Sequence, residues 1–275
     1  MAFSINVNEA ALQALRQLSS TNRELNQTQN RINTGLRISS ARDNAAVFSI
    51  AQQLRSDLRG LNAVRQSLDR GISSVDVALS AAGAISDLLL ELQERAVAAA
   101  DEGLDDVSRR ALSQDFVTLR DQITTIINNA EFNGTNLIDA NTDRILAITN
   151  SDATQVLSVS HQDLTLGGPN ILISSTDNIL TQTAVASAVV NITQSIDNLN
   201  GVLTILGSGA TALEQNRIFA DQLSDVIEVG IGNLVDVELA TESANLQALQ
   251  VQQQLGIQAL SIANQSPQQI LSLFQ

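Results

Sequence analysis

The chain has no cysteine, lysine, tryptophan or tyrosine, and only one histidine, two prolines and six phenylalanines among 275 residues. Without cysteine there are no disulfides and no thiolate metal sites. The lone His161 is too little material for a histidine metal site or a Ser-His-Asp triad, and it reads as a solvated loop residue. Without lysine no G-x-x-x-x-G-K-[ST] phosphate loop exists, and no G-x-G-x-x-G follows a strand-like run. No catalytic residue, metal or cofactor is therefore expected. Aromatics fill thick cores, so their scarcity points to thin helical bundles of Leu, Ile, Val and Ala. No apolar run approaches the roughly 18 residues of a membrane span, so no membrane partner is expected. Met1 to Asn6 shows neither a basic nor an apolar region, so no cleavable signal peptide is expected. Positive charge is short as well: 15 arginines face 29 acidic residues, a net charge of −14. That disfavours nucleic acid binding, which needs a basic face. It also makes any self-assembly salt-dependent.

What the chain does have is helical periodicity. From Asp43 to about Ala100 apolar residues recur at four-three spacing: Leu54, Leu58, Leu61, Leu68, Ile72, Val75, Leu79, Ala82, Leu89, Leu92 and Ala96. Arg65 and Ser86 fall on the same stripe as polar interruptions. A sustained heptad predicts one helix packed along its whole length, roughly 85 Å of it at 1.5 Å per residue. Such a helix must lie against other long helices.

The rest of the chain supplies them. Asn8 to Asn33 reads as a helix with Ala11, Leu15, Leu18, Leu25 and Ile32 on one seam and Asn22 and Gln29 as its polar members. Gly35 ends it, and Ser40 with Asp43 resembles a capping box for the long helix. Arg31, Arg37 and Arg42 cluster about this break, as a solvated elbow or a subunit contact. Asp105 or Asp106 caps a third helix over about 107–129, antiparallel to the long one through Gly103. From Glu131 to about Asp177 turn signals separate strand-like runs at 144–148, 155–159 and 171–173, a small β segment. Helix resumes from about Thr183 to Leu234, with a weak point at Gly207 and Gly209. A last helix, about Ala240 to Asn264, carries two apolar stripes. One holds Ala244, Val251, Leu255 and Ile262; the other holds Leu246, Leu249, Ile257 and Leu260. A bundle this small covers one side, so the second stripe implies contact with another copy or another protein. Pro267 is expected to end the helix, leaving an apolar tail with Leu271 and Phe274.

The fold class is therefore mainly α: a long antiparallel coiled-coil or helical bundle with a small β-hairpin segment and paired N- and C-terminal helices. The ends are partner-seeking and the middle is self-sufficient.

Several stretches then carry a resemblance. Arg31-Ile-Asn-Thr-Gly-Leu-Arg-Ile-Ser-Ser-Ala-Arg-Asp-Asn-Ala-Ala46 resembles the N-terminal core signature of bacterial flagellins, and Glu131-Phe-Asn-Gly-Thr-Asn-Leu137 resembles the turn after their third helix. Gln215-Asn-Arg217, Val235-Asp-Val-Glu-Leu-Ala-Thr-Glu242 and the run from Leu260 to Phe274 match the C-terminal pattern. The resemblance implies a short flagellin without large outer domains, a subunit of the bacterial flagellar filament that serves swimming motility. Residues 1–44 with 237–275 would form the filament-lining coiled coil. Residues 45–236 would form the surrounding bundle, with the β region at about 131–180. It implies export unfolded through the flagellar type III apparatus and folding of the ends on assembly. The implied partners are other copies, other flagellins, a cap protein, hook–filament junction proteins and an export chaperone at the C-terminal end; the location is extracellular. A junction protein is the alternative, since it resembles flagellin at its ends. One departure stands out. Many flagellins read Arg-Glu-Leu-Ala-Val where this chain reads Gln93-Glu94-Arg95-Ala96-Val97, within the surface sensed by the vertebrate innate receptor.

Overall fold

The computed structural model describes residues 8–272, with side chains to residue 265. The chain divides into two compact units, one made of residues up to 56 and from 226 onward, the other of Asp57–Asp225. The division falls within two long helices and not at residues 44 and 236. The first unit keeps the residues on those helices that pack around Ile38: Ala51, Ile231 and Val235, flanked by Phe48, Leu54 and Ile227.

In the first unit, helix α1 (Glu9–Thr34) is capped by Asn8, whose side chain accepts a hydrogen bond from the Ala11 amide. It ends at Gly35 with φ 69°, the left-handed conformation that glycine adopts without penalty. Helix α2 (Ala45–Ala99) begins one turn later than a Ser40 cap would place it. Asn44 caps it, accepting from the Val47 amide at 3.1 Å. The Asp43 carboxylate does reach back to the Ser39 and Ser40 amides and hydroxyls, but it closes a turn that precedes the helix.

In the second unit α2 is joined by α3 (Asp106–Asn129), β1 (Glu131–Phe132), β2 (Thr135–Asn136), β3 (Ile145–Ile148), β4 (Val156–Val159) and α4 (Gln182–Val235). Asp105 caps α3 through the Ser108 amide. Strands pair antiparallel as two hairpins, β1 with β2 and β3 with β4. The first turns through Asn133 and Gly134, both at positive φ, as a two-residue hairpin requires. The run at 171–173 is not a strand. Only Ile171 bridges, to Leu166, while Ile171 and Ile173 are fully buried as core side chains.

The buried positions of α2 in this unit include Leu61, Val64, Leu68, Gly71, Val75, Ala78, Ala82, Ile85, Leu89, Leu92, Ala96 and Ala99, a three-four alternation flanked by buried Ser67, Ser74 and Leu88. Leu61, Leu68, Val75, Ala82, Leu89, Leu92 and Ala96 of the expected stripe are thus on the seam, and the rest fall beside it. Ile72 and Leu79 lie on the flank, partly buried, while small Gly71 and Ala78 take the centre. Arg65 is no interruption of the core: it is exposed and pairs with Asp221 at 2.6 Å. The small centre admits the hairpin. A Cβ on Gly71 would lie 3.3 Å from Ile145, and one on Gly209 would lie 3.0 Å from Val159. Gly209 is therefore a packing site against β4, and α4 continues through it without a break. The core is completed by Phe116, Ile123 and Ile127 of α3 and Val185, Ile192, Leu199, Leu206 and Leu213 of α4. His161 is half-buried, its Nε2 3.2 Å from the Asp139 carbonyl oxygen, and so is tied to the loop it lies on.

Helix α5 (Leu239–Ser272) returns to the first unit. It does not stop at Pro267. Proline removes a single backbone donor here, and helix continues for another turn.

Candidate assembly surface

Helices α1 and α5 run antiparallel. The Gln253 amide donates to Asn22 Oδ1 at 2.7 Å, Asn8 Nδ2 donates to the Ala263 carbonyl at 2.7 Å, and Arg31 pairs with Glu242 at 3.5 Å. On α5 the covered positions are Glu242, Leu246, Leu249, Gln253, Gly256, Leu260 and Ala263, a perfect heptad. Facing them on α1 are Ala11, Ala14, Leu18, Thr21, Leu25, Thr28 and Ile32. The α1 seam differs from the expected one. Ala14, Thr21 and Thr28 are covered where Leu15, Asn22 and Gln29 were expected to lie centrally, and Leu15 is 52% exposed. Small residues at the seam bring the axes close: a Cβ on Gly256 would sit 3.3 Å from Leu18 Cδ1.

The expected packing residues therefore separate into two sets. Leu18, Leu25, Ile32, Leu246, Leu249 and Leu260 lie within the pair. Leu15, Leu255 and Ile262 lie outside it, joined by Leu12, Val251 and Ile257, all exposed. Leu271 belongs to α5 by its backbone, but its side chain, like all of Phe274, lies outside the described residues. Ile257, expected on the stripe of Leu246, Leu249 and Leu260, is exposed instead, and Leu12 falls on no expected stripe.

The arginines at the break do different work. Arg31 reaches across to Glu242, which is 7% exposed. Arg37 caps the end of α4: its guanidinium donates to the Leu234 carbonyl at 2.8 Å and its amide to the Val235 carbonyl at 2.7 Å. A cation there also complements the negative end of the helix dipole. Arg42 is exposed. The Leu36↔Asp236 bridge and the Val237 amide on the Gly35 carbonyl complete the junction. Hydrogen bonds from Ser40, and then Ser39, hold the Asp43 carboxyl below its ordinary value. In the second unit Gln93 donates to Thr193 at 3.3 Å and Arg95 pairs with its neighbour Glu94 at 3.3 Å. Among the described residues, no group of three or more acidic or histidine side chains is placed to hold a metal ion. No described helix is long and apolar enough to cross a membrane.

A chain whose two ends pair as antiparallel helices around a mixed seam, with large aliphatic side chains left on the outside, defines a helical structural subunit. A family model for the bacterial flagellin N-terminal helical region matches residues 5–143, and one for the C-terminal helical region matches residues 189–274. The chain belongs to the bacterial flagellin family. It is 45% identical to flagellin FljM of Caulobacter vibrioides over 272 residues, covering 99% of this chain and 98% of the relative. It is 35% identical to a flagellin of Brucella melitensis, covering 99% of each. A solved Vibrio parahaemolyticus structure described as flagellar hook-associated shares the fold, with TM-score 0.60 at 13% identity over 70% of this chain and all of that one. The protein is a structural subunit of the exported flagellar filament, and its family is not a family of enzymes.

Proposed function

We propose that the chain polymerises through its end-derived unit, with neighbouring copies covering the exposed faces of α1 and α5. The observation that carries this is the outward placement of Leu12, Leu15, Val251, Leu255, Ile257 and Ile262 on a helix pair whose seam already holds Leu18, Leu25, Leu246, Leu249 and Leu260 beside polar contacts. Burying one Leu-sized side chain contributes about 1.5–3 kcal/mol, so several per subunit offset the cost of ordering two helices. In this reading the ends fold when a neighbour arrives, which is coupled folding and binding. Export is as an unfolded chain, with a chaperone holding the C-terminal end. Growth proceeds beneath a cap protein from a base of hook–filament junction proteins, and other flagellins share the filament.

Electron microscopy of seeded assembly tests the reading. The full chain is expected to form long filaments, and a chain lacking 1–40 and 238–275 to stay monomeric with its remaining helices intact. Filaments from the truncated chain would overturn it.

The stretch at Gln93, Glu94 and Arg95 leads to a second expectation. A glutamine and an arginine replace the Arg and Leu of the usual pattern, and here they are engaged by Thr193 and Glu94. Innate-receptor reporter cells are expected to respond weakly or not at all; full potency would refute this.

A further inference from the structure

An α-helical carbonyl accepts from the amide four residues on. The amide that the Ala263 carbonyl would accept belongs to residue 267, which is proline and has no N–H. That carbonyl is the acceptor of Asn8 Nδ2, at 2.7 Å. The other end of the same side chain is also used: Asn8 Oδ1 accepts from the Ala11 amide at 3.1 Å, capping α1. An amide side chain supplies a donor and an acceptor on separate atoms, and here both are used. Pro267 is the sole proline of α5, so Ala263 carries the one carbonyl in the helix interior that proline chemistry leaves without an intrahelical donor. A slip of one heptad toward the start of α5 would place Asn8 opposite Gly256. The Gly256 carbonyl already has the Leu260 amide as its helical partner.

We propose that Asn8 and Pro267 form a register clasp. The proline frees a single acceptor on α5, and the cap residue of α1 reads it, fixing the stagger of the pair and with it the alignment of the exposed Leu12, Leu15, Leu255 and Ile262. Polar pairs inside helix seams specify register in this way. The Asn22–Gln253 bond sets the middle of the pair, and the clasp sets its far end. Asn8 is a positioning residue, and its effect on filament growth rests on the assembly reading above.

A double-mutant cycle tests the clasp in the full chain. Asn8→Asp keeps the capping acceptor and removes the donor. Pro267→Ala restores an amide to the Ala263 carbonyl and makes the clasp unnecessary. The readout is the critical concentration for seeded filament growth of wild type, N8D, P267A and the double variant. N8D is expected to raise it about fivefold, the size of one net hydrogen bond. In the P267A background the same change is expected to shift it less than about twofold, because nothing remains to be lost. An equal effect in both backgrounds would mean that Asn8 is only a cap, or that its new charge is responsible, and would overturn the clasp. No effect in either background would overturn it too. If wild type fails to extend seeds, the assembly reading falls. Amide hydrogen exchange along α1 and α5 in the same four chains then decides the clasp by the same non-additivity.

Discussion

The two helical seams of this protein are built on opposite plans. Along α2 in the second unit, Leu68, Val75, Ala82, Leu89 and Ala96 are all fully buried. Along α1 and α5, the covered positions include Thr21, Thr28, Gln253 and Glu242, and the large aliphatic side chains Leu15, Leu255 and Ile262 face outward. One seam is a core that stabilises the unit by itself. The other mixes Leu18, Leu25, Leu246, Leu249 and Leu260 with polar positions and leaves as many large aliphatic side chains uncovered on its outside. A helix pair with a partly polar seam and leucines on its outside is marginal alone.

The sharpest way to break this comparison is to damage each seam and ask which property fails. Phe116→Ala opens a cavity at a fully buried site and should cost about 3–5 kcal/mol in denaturant unfolding. Leu255→Ser with Ile262→Ser alters exposed positions and should leave the unfolding midpoint within about 0.5 kcal/mol of wild type. The same pair should abolish seeded growth. A stability loss from the outer pair, with growth intact, would show that these residues belong to a core.

Glycine substitutions give a finer contrast. A Cβ on Gly60 would lie 2.7 Å from Ser151 Cβ and 2.9 Å from its carbonyl oxygen, so backbone must move. Gly60→Ala should destabilise the second unit by roughly 1–3 kcal/mol. Gly83, on the same helix with open space around it, should gain about 0.5–1 kcal/mol as alanine. Gly256 in α5 meets only the flexible end of Leu18, at 3.3 Å, so Gly256→Ala should fall between these two. If Gly256→Ala is the costliest of the three in thermal melting, the α1–α5 seam is packed as tightly as the other.

Periodicity in the sequence revealed the five helices and the strands of the hairpin at 145–159. It missed phase. A four-three stripe and a three-four stripe share every other position, so choosing Ile72 and Leu79 over Gly71 and Ala78 followed residue size. Size misleads where a hairpin must approach closely, as it does at Gly71 and Gly209. The same preference placed Leu15 in the seam and passed over Thr21 and Thr28. Of the arginines, Arg31 had a visible acidic counterpart only once the antiparallel register was known, and Arg37 acts on carbonyls, which leave no mark in a sequence. The failure at Pro267 was a matter of context. An interior proline leaves the carbonyl four residues back without its helical donor, and the donor that bonds Ala263 instead, Asn8, lies 255 residues away.

Acid should separate the two units least, and in a defined window. Ser108 holds the Asp105 carboxyl below its ordinary 3.8 by donating hydrogen bonds to it, and the Arg217 guanidinium holds Glu214 below 4.5. Asp43 in the first unit is lowered in the same sense by Ser40. A depressed carboxylate contributes stability above its unfolded value, and the contribution is lost as pH falls through the folded one. These three groups therefore leave melting unchanged from neutral pH down to about 5, and they weaken the fold only below about 4.5 for Glu214 and about 3.8 for the aspartates. Asp105→Asn keeps a capping oxygen but cannot titrate. Its melting temperature at pH 7 should stay close to wild type, while its fall between pH 4.5 and 2.5 should be slightly shallower. An unchanged acid slope would mean that the Asp105 cap contributes nothing through its charge, and that α3 is held by Phe116, Ile123 and Ile127 alone.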